Sequence, residues 1–144
     1  MGASAKRSVT MDAPVENVYK VITDYESYAD FMEGVSKVEV VERDGNKLVA
    51  RYHINMIKKL TYTLNLVETE NKEVSWSFNE GDLFSVNQGS WLLTDNGDGT
   101  TLVDYTVEVD LKKKMIGSGM IVKTLTEVQL PSMLKSVEER AKNV

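Results

Sequence analysis

Residues 48–66 read LVARYHINMIKKLTYTLNL, and this stretch decides the fold. Apolar and polar side chains alternate from Leu48 to Ile57, and they alternate again from Leu60 to Leu66. A period of two is typical of β-strands that bury one face. The pair Lys58-Lys59 separates the two runs, and so short a connection allows only an antiparallel hairpin. The stretch therefore predicts two neighbouring strands of one sheet.

The same alternation continues on both sides of this hairpin. On the N-terminal side it begins at Val35 and passes through Asp44-Gly45, a strong signal for a tight turn. On the C-terminal side the strands are separated by turn-forming residues, namely Asn71-Lys72, Glu80-Gly81-Asp82 and the sequence NGDG at 96–99. These connections are too short for the crossover that parallel strands need. Residues 35–109 therefore predict a six-stranded antiparallel meander.

The N-terminal segment predicts one more strand and two short helices. Lys6 to Met11 has the mixed composition of an edge strand. Asp12-Ala13-Pro14 is expected to open the first helix, with Asp12 as its cap. A second short helix carries Tyr28, Phe31 and Met32 on one face and is expected to end at Gly34, which can adopt a left-handed conformation.

The C-terminal stretch, residues 114–143, predicts a long helix. It carries two apolar stripes that point in roughly opposite directions, and Pro131, between them, predicts that the helix is bent or re-phased at that residue. A meander with one apolar face needs a cover, and only this helix is large enough to provide it. We therefore expect an α+β fold in which a curved, seven-stranded antiparallel sheet wraps around the C-terminal helix, and a single domain spanning residues 1–144.

Composition excludes several classes of protein. The chain has 144 residues and a net charge of -5, which argues against binding DNA through many phosphate contacts. It has no cysteine and one histidine, so disulfides, thiolate chemistry, iron–sulfur clusters and sites with several imidazoles are excluded. Its apolar runs are far shorter than a membrane span. We expect a cytoplasmic protein with no cofactor, no metal and no catalytic residue identifiable from sequence.

Some motifs suggest sites but favour structural roles. His53 falls on the polar side of its strand, away from the helix. The sequence DNGDG at 95–99 lacks the oxygen ligands that a calcium loop needs, and it predicts a hairpin turn. Gly117-Ser118-Gly119 is either an entry to the last helix or a hinge at a pocket mouth. Lys112-Lys113-Lys114 is either a solvated cluster or a surface that attracts anions.

The inward-facing residues are the better candidates for a binding site. Tyrosine and tryptophan carry polar groups that need partners, which suits either a filled core or a cavity that holds an amphipathic ligand. Asn87 shares the parity of Trp91 unless Gly89 forms a bulge, and it would be the polar anchor. The candidate ligand-binding residues are Tyr52, Ile54, Tyr62, Leu64, Trp76, Phe78, Asn87, Trp91, Tyr105, Val107, Ile121, Leu125 and Val128.

This order of elements resembles the START-like superfamily, whose members share the helix-grip fold of the birch-pollen allergens. Residues 13–31, APVENVYKVITDYESYADF, are similar to the polyketide cyclase/dehydrase branch that includes coenzyme Q-binding proteins and ribosome-association toxins. Gly89-Ser90-Trp91, the turn at 97–100 and the strand 103–107 fit the same pattern, so the resemblance covers nearly the whole chain. Met32-Glu33 departs from it, because a proline and a bulky residue usually follow the phenylalanine in quinone-binding members.

The resemblance implies a function without naming a ligand. It implies binding of a small hydrophobic or amphipathic molecule, such as a lipid, a quinone or a polyketide-like compound, between the sheet and the C-terminal helix. The protein would then be a carrier, chaperone or sensor. The alternatives are a polyketide cyclase or aromatase, which would orient a reactive chain, and an interaction module with a protein or ribosome partner. The oligomeric state stays open.

Overall fold

A curved antiparallel sheet dominates the computed structural model, which describes residues 3–55, 59–112, 118–124, 127 and 129–144, apart from the side chains of residues 118, 121 and 129. Its strands are β1 (Ala3–Met11), β2 (Val35–Asp44), β3 (Lys47–Asn55), β4 (Lys59–Thr69), β5 (Glu73–Glu80), β6 (Phe84–Asp95) and β7 (Thr101–Leu111). The helices are α1 (Val15–Thr23), a 3-10 helix (Tyr25–Asp30), α2 (Ser118–Lys123) and α3 (Gln129–Ala141).

The strands follow one another as a meander, with β1 added beside β7. The order across the sheet is β1-β7-β6-β5-β4-β3-β2, and every neighbouring pair is antiparallel. In the central hairpin Tyr52 pairs with Tyr62, so both rings lie on the same face. The predicted fold class and the edge position of β1 are therefore confirmed. Of the predicted turn at Lys58-Lys59, Lys59 begins β4 and Lys58 lies outside the described residues.

The start of α1 differs from its prediction. Pro14, in an extended conformation, precedes the first turn, and no side chain caps it. Asp12 precedes this N-cap position by two residues, and its backbone N–H donates to Glu138 Oε2 of α3 at 2.8 Å. The Asp12 cap is therefore wrong. The second short helix is confirmed as a 3-10 helix, Tyr25–Asp30, but its predicted end at Gly34 is wrong. Phe31 and Met32 follow the helix, and Gly34, with a φ of 86°, lies four residues beyond its end.

The C-terminal segment consists of two regular helices with a change of geometry between them. Thr124 and Glu127 are π-helical and lie between the end of α2 and the start of α3. Pro131 is the third residue of α3, where its missing N–H costs no bond within the helix. The departure from regular α-helix, at Thr124 and Glu127, therefore comes before Pro131 in the chain, and not at Pro131 itself. One predicted stripe is buried, namely Leu130, Leu134, Val137 and Ala141. The other, Ile121, Leu125 and Val128, lies outside the described side chains.

Polar contacts connect α1 with α3 and the start of α1 with β7. Asn17 Nδ2 donates to the carbonyl of Ala141 at 3.1 Å, and Thr101 Oγ1 of β7 donates to the carbonyl of Ala13 at 2.8 Å. These bonds join α1 to the end of α3, and the segment before α1 to β7. Within the described ranges, no helix combines the length and apolar character that crossing a bilayer requires.

Candidate ligand-binding site

A cavity of about 150 Å³ lies among the inward-facing side chains of the sheet, α3 and the segment that precedes β2. An apolar space of this volume accommodates a molecule about the size of benzene. Aromatic and aliphatic side chains form most of its wall. Its lining residues are Tyr28, Met32, Glu33, Val35, Tyr52, Ile54, Tyr62, Leu64, Leu66, Val74, Trp76, Asn87, Trp91, Tyr105, Val107, Val109 and Met133.

Most of the residues singled out from the sequence meet in this cavity. Those that line it are Tyr52, Ile54, Tyr62, Leu64, Trp76, Asn87, Trp91, Tyr105 and Val107. Phe78 does not line the cavity, because its ring packs against the ring of the buried residue Phe84, with centroids 6.1 Å apart. Lys112 Nζ lies 5.9 Å from the Phe78 ring. The predicted contributions of Ile121, Leu125 and Val128 lie outside the described side chains.

Several lining residues were not among the predicted ones. Leu66, Val74 and Val109 have the inward parity of their strands, so the alternation could have identified them. Val35, Tyr28 and Met133 are apolar residues whose position beside a cavity no local pattern indicates. Met32 and Glu33, where the sequence departs from the quinone-binding pattern, also line the cavity.

A hydrogen bond joins Trp76 and Asn87, which both belong to the cavity wall. Trp76 Nε1 donates to Asn87 Oδ1 at 3.0 Å, and Asn87 is buried. The pairing of β6 with β7 is regular from Val86 to Asp95, so Gly89 forms no bulge and Asn87 shares the inward face with Trp91. A Cβ atom on Gly89 would lie 2.7 Å from Trp76 Cζ2. The indole therefore needs a glycine beneath it.

Two groups of aromatic rings form part of the cavity wall. Tyr52 and Tyr62 stack with an interplanar angle of 12° and centroids 5.5 Å apart. The rings of Tyr105 and Trp91 meet in an edge-on arrangement with centroids 4.7 Å apart, and the centroids of Tyr105 and Trp76 are 5.6 Å apart. Offset and edge-on contacts of this kind stabilise aromatic clusters beyond the burial of their area. The rings are therefore held in place by one another.

The phenols of the cavity are neutral. Burial raises the pKa of Tyr52, Tyr62 and Tyr105 above the ordinary 10.0, and neighbouring tyrosines add to the effect at Tyr52 and Tyr105. Burial also raises the pKa of Tyr28, and the Tyr28 hydroxyl donates a hydrogen bond to the carbonyl of Ile22. The hydroxyls of Tyr52 and Tyr105 donate to no other described residue. Since no described side-chain polar atom is both fully buried and without a partner, these two hydroxyls are accessible from the cavity.

One end of the cavity reaches solvent beside the segment that precedes β2. Glu33 is exposed, and Val35 and Met133 are partly exposed, whereas most of the remaining wall is buried. Close by, the Phe31 ring lies 4.7 Å from the guanidinium carbon of Arg140, which links this segment to α3. We refer to the end lined by Glu33, Val35 and Met133 as the mouth.

His53 lies on the opposite face of the sheet, as predicted. Its Nε2 is 3.1 Å from Glu39 Oε1, and Lys37 and Arg51 lie 3.3 and 3.4 Å from the same carboxylate. Lys37, followed by His53, lowers the pKa of Glu39. The arrangement is a surface ion-pair cluster remote from the cavity.

The turn at 95–99 is the predicted hairpin turn. Asp98 Oδ1 accepts hydrogen bonds from the backbone N–H and the hydroxyl of Thr100. In the part of the chain that the structure describes, no three histidine, aspartate or glutamate side chains are grouped to hold a metal ion.

Comparison with known proteins identifies the family. Residues 11–138 match the sequence profile described as polyketide cyclase/dehydrase and lipid transport. No curated protein sequence matches the chain.

Solved structures share this fold over nearly the whole chain. The Zhui aromatase/cyclase from a Streptomyces species superposes with a TM-score of 0.87 at 19% identity, covering 99% of this chain and 95% of that one. A protein from Thermus thermophilus gives 0.84 at 25% identity, with 98% of each chain covered. A START superfamily protein from Mycobacterium smegmatis gives 0.81 at 18% identity, with 97% of each covered. By its profile match, and consistently with its fold, this chain belongs to the polyketide cyclase/dehydrase and lipid transport family.

Proposed function

We propose that the protein binds one small, largely apolar molecule with a polar oxygen in the cavity, and that it acts as a carrier, chaperone or sensor. The observation that carries this proposal is the pair of hydroxyls, on Tyr52 and Tyr105, that open into an apolar cavity without a described partner. A buried donor left without a partner costs about 1–3 kcal/mol. A hydrogen bond to an oxygen of the ligand would remove that cost. A water molecule would remove it only if the cavity held ordered water, and apolar cavities of this size stay dry.

The mouth allows the ligand to be longer than the cavity. A benzene-sized ring fills a volume of about 150 Å³. A chain attached to that ring would extend past Met133 and Glu33 into solvent. Methionine side chains adapt to ligands of different shape, and both Met32 and Met133 line this end. A lipid, a quinone and a polyketide-like molecule are all compatible with this arrangement.

The alternative function, a polyketide cyclase or aromatase, requires groups that orient and activate a reactive chain. The described phenols stay protonated because burial raises their pKa, so they donate hydrogen bonds and do not act as bases at neutral pH. Glu33, the carboxylate of the lining, is exposed at the mouth. The described cavity thus offers shape and hydrogen-bond donors, which favours binding over proton abstraction.

The proposal is tested by titrating the folded protein with N-phenyl-1-naphthylamine, a neutral dye that fluoresces in apolar surroundings. We expect saturable binding with one dye per protein. Leu66→Phe and Val67→Phe form a matched pair, since the first side chain lines the cavity and its neighbour on β4 is exposed. We expect Leu66→Phe to weaken dye binding at least threefold by filling the cavity, and Val67→Phe to leave it unchanged.

Two results would contradict the proposed function. One is the absence of saturable binding by the wild type at any soluble dye concentration. The other is equal binding by both variants, with circular dichroism showing that each is folded, because the dye would then bind elsewhere.

A further inference from the structure

The turn that joins β6 to β7 contains the single Asn-Gly pair of the chain, Asn96-Gly97. Because glycine has no side chain to hinder its own backbone nitrogen, this nitrogen can attack the side-chain amide of the preceding asparagine. A bond then forms between Gly97 N and Asn96 Cγ, and a succinimide ring results. Ammonia leaves with the amide nitrogen of the side chain and the proton of Gly97 N–H. Water opens the ring at either carbonyl, which leaves aspartate or isoaspartate at position 96.

The turn is open to water, and nothing crowds its glycine. Residues 95–99 are all exposed, so solvent reaches the amide of Asn96. Gly97 has a φ of 82°, a conformation that glycine adopts at no steric cost. A Cβ atom built on Gly97 would meet nothing within 4 Å. The reaction at this turn therefore depends on the hydrogen bonds of the two reacting groups and not on packing around them.

Two hydrogen bonds hold the reacting groups in the native turn. The backbone N–H of Gly97 donates to Asp95 Oδ1 at 2.8 Å. Asn96 Nδ2 lies 3.0 Å from Thr100 Oγ1. The Thr100 hydroxyl donates its single proton to Asp98 Oδ1 at 2.6 Å, so its oxygen is the acceptor for the Asn96 amide. The nucleophile and the amide that it attacks are thus both bound to other partners.

Asp95 opposes the reaction through its charge as well. The attack requires Gly97 N to lose its proton, and a negative nitrogen beside a carboxylate is disfavoured by the like charge. A hydrogen bond to a charged acceptor is also stronger than one between neutral groups. Hydrogen bonds at an exposed turn nevertheless open locally while the rest of the protein stays folded. The native turn therefore slows the reaction, which proceeds in the molecules whose turn is open.

We propose that Asn96 is a modification site, at which spontaneous deamidation proceeds at a rate set by Asp95 and Thr100. Isoaspartate is the product that changes the structure, because its extra methylene lengthens the backbone of the turn. Asp95 pairs with Thr101 at the base of this turn, and the buried Thr101 hydroxyl donates to the carbonyl of Ala13. The longer backbone is therefore expected to weaken the end of the hairpin that supports the start of α1.

The experiment incubates the folded protein in mildly alkaline buffer and follows the tryptic peptide 73–112 by mass spectrometry. This peptide contains three asparagines, so Asn79 and Asn87, which precede residues larger than glycine, are internal references. We expect the mass increase of an amide-to-acid exchange at Asn96 before either reference changes. Electron-transfer fragmentation distinguishes isoaspartate from aspartate, and isoaspartate should form at position 96.

Variants of the turn test what sets the rate. Asp95→Ala removes the acceptor of Gly97 N–H, and we expect deamidation of the folded protein to become about three- to tenfold faster, the factor that one hydrogen bond contributes. Thr100→Val removes the acceptor of the Asn96 amide at nearly constant shape and should act in the same direction. Asp82→Ala removes an exposed carboxylate from another turn of the same peptide, and it should keep the wild-type rate. In urea all four proteins should react at similar rates, because the turn is then absent.

The consequence for stability is measured on aged protein. Asn96→Asp carries the new charge on a backbone of ordinary length, so it separates the effect of charge from that of the added methylene. We expect isoaspartate-containing protein, isolated by ion-exchange chromatography, to unfold at a lower urea concentration than both the wild type and Asn96→Asp. A midpoint equal to that of Asn96→Asp would contradict the weakened hairpin.

Two further results would overturn the inference. Deamidation of Asn96 no faster than that of Asn79 and Asn87 in the folded wild type would show that the turn is not a modification site. Wild-type rates in Asp95→Ala and Thr100→Val, with circular dichroism showing that both are folded, would show that these residues do not set the rate. None of the described cavity-lining residues belongs to this turn, so each of these results leaves the proposed ligand binding intact.

Discussion

At the scale of single residues, Gly89 has a strict steric requirement. Its hydrogen faces both the carbonyl oxygen of Thr106, which a Cβ atom would approach to 2.1 Å, and the Trp76 ring. Real Cβ atoms do not come so close to backbone atoms, so either β6 or β7 would have to move. The backbone of β6 thereby determines how deep the Trp76 indole lies in the cavity wall.

We expect Gly89→Ala to lower the free energy of unfolding by roughly 1–3 kcal/mol, the usual cost of overpacking. Urea denaturation followed by tryptophan fluorescence measures it, and the emission maximum of the native state should shift as the indole moves. Gly119→Ala is the control, because a Cβ atom there meets nothing within 4 Å in α2. It should be neutral or slightly stabilising. An equally neutral Gly89→Ala would contradict the close contact.

Among the elements, α3 contributes a stripe of buried apolar side chains to the core. Its buried stripe includes Leu134 and Val137, while Lys135 between them is exposed. We expect Leu134→Ala to cost about 2–5 kcal/mol in unfolding free energy, through lost burial and the hollow that it leaves. Lys135→Ala should change stability by less than about 0.5 kcal/mol. Similar values for the two variants, measured by urea denaturation, would show that the Leu134 face of α3 is not buried.

The strands and α3 could be predicted because their signals are local. The alternation along β3 and β4 predicts by itself that Tyr52 and Tyr62 lie on the inward face, and the pairing of the two residues agrees with it. The stripe of α3 follows a helical period in the same way. The Asp12 cap failed because Pro14, two residues further along the chain, occupies the N-cap position of α1. The backbone N–H of Asp12 bonds Glu138, a residue 126 positions away, which no local pattern indicates.

The cavity could be predicted only in part for a related reason. The alternation along a strand predicts which face of the sheet a side chain lies on. It does not predict the distance from that side chain to the residues that it faces across the interior. Phe78 has the inward parity but meets Phe84 instead of open space. Glu33 lines the mouth although nothing in its neighbourhood of the sequence indicates an inward position, because the path of the chain between two elements decides it.

Across the whole molecule, buried phenols determine how stability responds to alkali. Burial is the first cause of the raised pKa of Tyr25, Tyr28, Tyr52, Tyr62 and Tyr105, whereas in the unfolded chain these groups ionise near 10.0. A pKa raised by folding stabilises the native state fully below the unfolded value. This stabilisation is lost as pH rises above that value, because the unfolded state then releases protons that the native state retains.

We therefore expect the free energy of unfolding to show no tyrosine-dependent change between pH 8 and about 10 and to fall steeply above it. Urea denaturation at intervals from pH 8 to about 11.5 measures the slope. Tyr105→Phe, which removes one titrating group, should reduce that slope. A slope that starts well below pH 10, or a variant with the wild-type slope, would argue against buried neutral phenols.

The central claim is that a ligand occupies the space between the sheet and α3. The most direct test is a methyl NMR titration of the protein, labelled at isoleucine, leucine and valine, with indane. We predict saturable shifts, at one ligand per protein, of the methyl signals of Leu64, Leu66 and Val107, which line the cavity. The signals of the exposed residues Val67 and Leu92 should stay in place. Shifts confined to Val67 and Leu92, or no saturable shift up to the solubility limit of indane, would contradict the account.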